Sequence, residues 1–266
     1  MWLIIVLLVL VAMYLFMIAP RMIHKPDRSH LCGVHYAHRG LFDNATDAPE
    51  NSLKAFQKAV EAGYGIEFDV QLSSDDIPVV FHDATLKRMC GIDGKVWEYT
   101  LEELQKMKLA DSDQTIPTLQ QVLETIDGKV PLIIEYKMDR ADKKVCVLGN
   151  RILETYEGPY CIESFHPLAV QWYRKNKPEV VRGQLSENFP KRGKKQIQFW
   201  IMTYLLTNFL TRPDFIAYNH EDAGNISRRL CSRMGALSVA YTIKNREQCE
   251  QAKKHFELFI FDSCRL

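Results

Sequence analysis

The chain has 266 residues, with 34 lysines and arginines against 33 aspartates and glutamates, for a formal net charge of +1. That balance supplies no bulk field to draw the protein onto nucleic acid, so nucleic acid is not an expected partner. The 7 cysteines, at positions 32, 90, 146, 161, 231, 249 and 264, form no CxxC pair. This argues against a disulfide framework or structural zinc site and predicts small buried apolar side chains in reducing surroundings.

From Trp2 to Ala19 no side chain carries a charge, and residues 3–11 are unbroken Leu, Ile and Val. At ~1.5 Å per residue the stretch covers ~27 Å, enough to span a thin hydrocarbon core. A cleaved signal peptide is the rival reading, but it requires a charged start and a small-x-small cleavage site, which residues 1–2 and 16–21 do not supply. The expectation is a transmembrane anchor over residues 1–20, a polar linker over 21–31 and a folded domain over 32–266. Arg21, His24, Lys25 and Arg28 follow the span. They predict a single-pass protein of the cell membrane with its domain in the cytoplasm.

Beyond the linker, short apolar segments alternate with helical patterns, the signature of repeated βα units around a parallel sheet. Eight such segments lie near residues 34–37, 65–72, 131–136, 160–165, 180–185, 214–218, 236–241 and 258–261. Helical three-and-four spacing appears between them, as in Leu53, Phe56 and Val60 after Glu50-Asn51-Ser52. Eight parallel strands with helical crossovers predict a TIM barrel. A further run, residues 78–82, is too close to the second strand to be its parallel neighbour and must return antiparallel. The turn residues Ser73-Ser74-Asp75-Asp76 support such a hairpin, which places His82 roughly opposite Glu67.

Residues 186–213 carry the basic run Lys191-Arg192-Gly193-Lys194-Lys195, then a segment over 197–210 that is apolar around most of its circumference. It reads either as a deeply packed crossover helix or as an interfacial helix facing anionic lipid.

Reactive side chains of a TIM barrel come from strand C-termini and the loops that follow. Ionisable groups mark five strand ends: His38-Arg39-Gly40, Glu67-Phe68-Asp69, His82-Asp83, Glu135-Tyr136-Lys137 and Glu163-Ser164-Phe165-His166. Glu67 and Asp69, two apart on a strand, share a face. Flanked by Ile66, Phe68 and Val70, two such carboxylates repel each other and lose solvation, a conflict that a divalent cation resolves. Glu135 on the neighbouring strand adds a third hard oxygen donor, a set suited to Mg²⁺ or Ca²⁺. An isolated Glu-x-Asp would read as a solvated strand edge; the second-strand context and two imidazoles reverse that.

The ordered segments His38-Arg39-Gly40, Pro49-Glu50-Asn51-Ser52, Glu67-Phe68-Asp69-Val70 and Val80-Phe81-His82-Asp83 resemble the glycerophosphodiester phosphodiesterase family. The similarity continues through Ile116-Pro117-Thr118-Leu119, Ile134-Glu135-Tyr136-Lys137, Ser164-Phe165 and Tyr241-Thr242-Ile243-Lys244-Asn245. It implies a TIM barrel with a hairpin insertion after the second strand, and a metal held by Glu67, Asp69 and Glu135. It also implies that His38 and His82 form the acid/base pair, that Arg39 and Lys137 contact phosphate, and that Glu50 and Asn51 line the same pocket. The chemistry expected is attack of the glycerol 2-hydroxyl on phosphorus, with His38 as base and His82 as acid, then opening of the cyclic phosphate by water. Two departures stand out. Ala240 occupies a place where the family usually has a Trp against the glycerol moiety, and the chain stops after Phe261-Asp262-Ser263-Cys264 without the usual final helix. The expected substrates are soluble glycerophosphodiesters or, given the apolar segments and Ala240, a lysophospholipid at a membrane. An inactive binding protein is the remaining alternative.

Overall fold

The computed structural model describes residues 1–138 and 142–262; Ser263 and Cys264, read above as part of the last strand's end, lie outside them. The strands in chain order are β1 (Tyr36–His38), β2 (Gly65–Leu72), β3 (Pro78–Val80), β4 (Leu132–Tyr136), β5 (Tyr160–Ser164), β6 (Arg182–Ser186), β7 (Phe215–Asn219), β8 (Leu237–Ile243) and β9 (Leu258–Phe261). All but β3 are parallel, and β1 pairs with both β2 and β9, so the sheet closes into the eight-stranded barrel expected from the βα alternation. β3 lies antiparallel on β2 with Val70 opposite Val80, and the Phe81 amide donates to the Asp69 carbonyl. Carried one residue further, that register puts His82 opposite Phe68, one position from the expected partner Glu67.

The helices are α1 (Trp2–Ile18), α2 (Leu53–Glu61), α3 (Lys87–Cys90), α4 (Leu101–Leu104), α5 (Leu119–Ile126), α6 (Lys144–Leu153), α7 (Pro167–Asn176), α8 (Ile197–Thr203), α9 (Asn208–Thr211), α10 (Ile226–Arg233) and α11 (Arg246–Ala252). Local chemistry starts several of them. Ser52, Thr118, Asn225 and Asn245 accept the free amides of α2, α5, α10 and α11, and Pro167 occupies the first turn of α7.

Alternation along each strand splits the core in two. Outward residues such as Ile66, Phe68, Val70, Leu132 and Ile134 pack under the helices, while Tyr36, Ile133, Cys161, Phe215, Val239 and Ile260 fill the barrel interior. The inward positions one step further along β1, β2, β4 and β5 carry ionisable side chains. The apolar plug therefore closes the barrel from below and leaves His38, Glu67, Asp69, Glu135 and Glu163 at its C-terminal mouth. The six described cysteines are free; four of them are buried and Cys32 is exposed.

The N-terminal segment corrects the sequence expectation. No helix among the described residues is long and apolar enough to cross a membrane. α1 ends after 17 residues, ~26 Å, because Ala19 precedes Pro20 and turns extended. Its last turn is committed to the protein: Ile18 is fully buried, its carbonyl accepts from Asn208 Nδ2 at 2.9 Å, and the Tyr14 hydroxyl meets Ser227 Oγ at 2.7 Å. The transmembrane anchor and the single-pass cell-membrane arrangement with a cytoplasmic domain are overturned.

The segment over residues 197–210 is not one helix. It breaks between α8 and α9 at Leu205, which is buried in the left-handed region at φ 56°. The break turns polar side chains inward. Thr203 Oγ1 donates to the Glu187 carbonyl and accepts the Phe189 amide, and Asn208 holds α1, while Ile197 and Trp200 face out at 73% and 43% exposure.

This inversion of polarity is measurable. Asn208→Ala leaves the Ile18 carbonyl with only the weak Cys231 Sγ donor at 3.2 Å and is expected to cost about 1–3 kcal/mol in urea unfolding. Ile197→Ser is expected to stay within about 0.5 kcal/mol of the parent.

Candidate active site

Glu67 and Asp69 project inward from β2 because they are two residues apart, and the pairing of Asp69 with Glu135 brings the third carboxylate alongside from β4. All three are buried, and one oxygen from each lies within 4.8 Å of the others. The Lys137 ammonium bridges two of them, 2.7 Å from Glu135 Oε2 and 2.9 Å from Asp69 Oδ1. Burial would raise the Asp69 carboxyl, but Lys137, His82, Arg39 and His38 outweigh it and hold the group below the usual range. Glu67 is pushed well above that range by burial and then by Asp69 and Glu135, and burial likewise raises Glu135 against the pull of Lys137. Three hard oxygen donors converging in a place short of positive charge fit a divalent cation, with Glu67, Asp69 and Glu135 as the residues to hold it.

Arg39 reaches this cluster through a tight turn. Arg39 and Gly40 both have positive φ, at 60° and 85°, and a Cβ on Gly40 would stand 2.9 Å from the Ala55 backbone, so only glycine fits there. Asn51, also left-handed at φ 57°, donates its amide to the Arg39 carbonyl at 2.9 Å and its Nδ2 to Asp69 Oδ2 at 2.9 Å. Two non-glycine residues in that region next to a charged cluster are strain held by a built site. Glu50 fixes the Arg39 guanidinium at 2.7 Å and is itself clamped by Arg88 at 2.7 and 2.8 Å. Burial opposes ionisation of Glu50, yet the Arg88 hydrogen bonds and the charge of Arg39 bring its carboxyl down to about 2.

The two imidazoles come from different structural layers. His38, at the end of β1, has Nε2 3.8 Å from Glu67 Oε2 and Nδ1 3.9 Å from Asp262 Oδ1. Burial lowers its pKa against the pull of Asp262, which favours the neutral ring. His82 follows β3, and its Nδ1 is 2.6 Å from Asp83 Oδ1. Arg88 in turn grips Asp83 at 2.7 and 3.0 Å, so one guanidinium ties His82's partner to Arg39's partner.

A cavity of about 170 Å³ opens at this end of the barrel. His38, Arg39, Glu67, His82, Glu135 and Lys137 line it together with Glu163, Phe165, Leu185, Tyr241, Thr242 and Ile260. Of the site residues expected from sequence, Asp69 lies behind Lys137, while Glu50 and Asn51 are not among the lining residues and brace Arg39 and Asp69 from behind. Sequence reasoning places Glu163 and Asp83 at ionisable strand ends and Tyr241 in a family motif without giving any of them a role, and it passes over Arg88 altogether. The signal for Glu163 is its register opposite Glu135, which gives it the same inward face. Tyr241 corrects the reading of Ala240: the alanine is buried outward among the helices, and the next residue along β8 brings an aromatic ring to the cavity.

The chain is similar to known proteins in sequence and in fold. A glycerophosphodiester phosphodiesterase of Caldanaerobacter subterraneus is 28% identical over 82% of this chain and 88% of its own length. Glycerophosphodiester phosphodiesterase 1 of Bos taurus is 33% identical over 85% of this chain and 77% of its own. An Oleispira antarctica phosphodiesterase, solved in complex with the product sn-glycerol-3-phosphate, shares the fold at a TM-score of 0.72 and 23% identity, covering 88% of this chain and 94% of that one. Residues 38–257 match the sequence model of the Glycerophosphoryl diester phosphodiesterase family, and the chain belongs to that family.

Proposed function

We propose that the protein is a glycerophosphodiester phosphodiesterase, a hydrolase that cleaves glycerophosphodiesters to an alcohol and glycerol phosphate. The observation that carries this reading is one small cavity bordered by buried carboxylates, two cations and two imidazoles at the C-terminal mouth of the barrel.

A divalent cation, Mg²⁺ or Ca²⁺, held by Glu67, Asp69 and Glu135 supplies Lewis-acid stabilisation of charge on phosphate. Arg39 and Lys137 bind the non-bridging phosphate oxygens, and Glu50 and Asn51 keep Arg39 and Asp69 in place. His38, held neutral by burial, takes the proton from the glycerol 2-hydroxyl as its oxygen bonds to phosphorus. His82 gives a proton to the departing alcohol oxygen as the phosphorus–oxygen bond breaks, with Asp83 fixing its Nδ1. In the second half the roles exchange and water opens the cyclic phosphate. No side-chain nucleophile is needed because the attacking oxygen belongs to the substrate.

Release of choline from glycerophosphocholine is expected to require added Mg²⁺, Ca²⁺ or Mn²⁺ and to stop with chelator. His38→Ala and Glu67→Gln are each expected to lower kcat by at least ~100-fold; turnover that persists through chelation or in both variants would refute the assignment. Asp83→Ala frees the His82 ring and is expected to reduce kcat more than it changes KM, which steady-state kinetics resolves. The Glu50 carboxyl, brought from an ordinary 4.5 to about 2, contributes stability that is complete above the unfolded value and lost as pH falls through the folded one. Urea unfolding is therefore expected to show a loss of about 3 kcal/mol between pH 4.5 and 2 that Glu50→Gln abolishes.

A further inference from the structure

One carboxyl of the cavity has no part in the chemistry above. Glu163 on β5 lies in register with Glu135, faces the cavity and is 1% exposed. Its Oε2 has no hydrogen-bond partner. An unmade hydrogen bond on a buried carboxyl is costly, and a built site that keeps one has a use for it. Glu163 is not one of the three residues whose oxygens converge within 4.8 Å. Neither imidazole engages it, since His38 faces Glu67 and Asp262 and His82 is held by Asp83.

The surroundings of Glu163 say what it would meet. Phe165, Leu185, Tyr241 and Ile260 line the same cavity. Phe165 and Tyr241 meet edge to face at 6.0 Å, and the Tyr241 hydroxyl already donates to the Ser186 carbonyl, so this wall presents the tyrosine's ring. The wall thus offers apolar surface to carbon atoms and one unused acceptor. A cavity of about 170 Å³ falls below the roughly 300 Å³ at which drug-sized pockets begin, which suits a short polyol and not an acyl chain.

We propose that Glu163 is a specificity-determining residue for the glycerol end of the substrate, accepting a hydrogen bond from the terminal hydroxyl that takes no part in the reaction. The inference rests on the hydrolase reading, in which the 2-hydroxyl is consumed as nucleophile and leaves the terminal hydroxyl as the one free donor on glycerol. The substrate class that follows is a phosphodiester of unacylated glycerol. A lysophospholipid acylated at the terminal oxygen keeps the attacking hydroxyl but has no proton to offer Glu163.

The test compares kcat/KM of the full chain, with saturating Mg²⁺ or Ca²⁺, on three substrates. These are glycerophosphocholine, the propane-1,2-diol analogue that lacks only the terminal hydroxyl, and 1-acyl lysophosphatidylcholine. The parent protein is expected to prefer glycerophosphocholine by roughly 10- to 100-fold over both others. Glu163→Leu is expected to collapse the preference over the diol analogue by reducing glycerophosphocholine turnover selectively. Glu163→Gln, which keeps a carbonyl acceptor, is expected to retain most of it. Equal turnover of the three substrates by the parent protein overturns the proposal without recourse to any variant. So do equal losses on glycerophosphocholine and the diol analogue in Glu163→Leu, or a shift in the metal concentration giving half-maximal rate in Glu163→Gln, which would make the residue a metal ligand. A parent protein that cleaves none of the three defeats the hydrolase reading itself.

Discussion

Glu67, Asp69, Glu135 and Glu163 stand together on the inner face of three adjacent parallel strands, and the rest of the mouth is arranged around that concentration of negative charge. Carboxylates this deeply buried either find positive partners or take up protons. Asp69 finds them in Lys137 and Arg39, whereas Glu67 and Glu135 are still pushed upward despite those cations. The protein leaves the site short of positive charge. That deficit suits the cluster to the divalent cation proposed for it above, with the Arg39 and Lys137 cations standing beside it.

The barrel beneath makes the deficit possible. Its apolar plug, with Tyr36, Ile133, Phe215 and Ile260, seals the cluster from below, so the charges act through a medium far less screening than water. Above, the support runs through paired side chains: Glu50 holds Arg39, Arg88 holds Glu50 and Asp83, and Asp83 holds His82. The left-handed conformations of Arg39 and Asn51 persist because these contacts over-determine them. Positioning thus comes from a continuous ionic chain that links Arg39 on one side of the cavity to His82 on the other.

The parts that were readable in the sequence are those that obey a short period. Glu67 and Asp69 announce a shared face by their spacing of two, and Ser73-Ser74-Asp75-Asp76 announces the hairpin that returns His82 to within one residue of the expected place. Features fixed by distant partners were not readable. Arg88 meets Glu50 from 38 positions away, and Thr203 and Asn208 donate to the carbonyls of Glu187 and Ile18 from 16 and 190 positions away. A slip of one residue hid Tyr241 behind Ala240, since on a strand that slip exchanges inside for outside. The apolar start of the chain was legible as a helix. Its end was not, because Pro20 and the packing of Ile18 against the barrel take away the last turn that a span would use.

The hairpin insertion has its own apolar nucleus, in which Val79, Phe81, Leu86, Met89, Val96, Leu104, Met107, Leu109 and Ile116 pack with one another apart from the two barrel cores. One imidazole of the pair therefore rides on a small satellite body and the other on the barrel wall. Cooperative units of this size open at lower free energy than the main core. If that body opens first on gentle warming or in a little denaturant, the two histidines part while the barrel stands, and the proposed chemistry ends in a molecule that still looks folded by its bulk secondary structure.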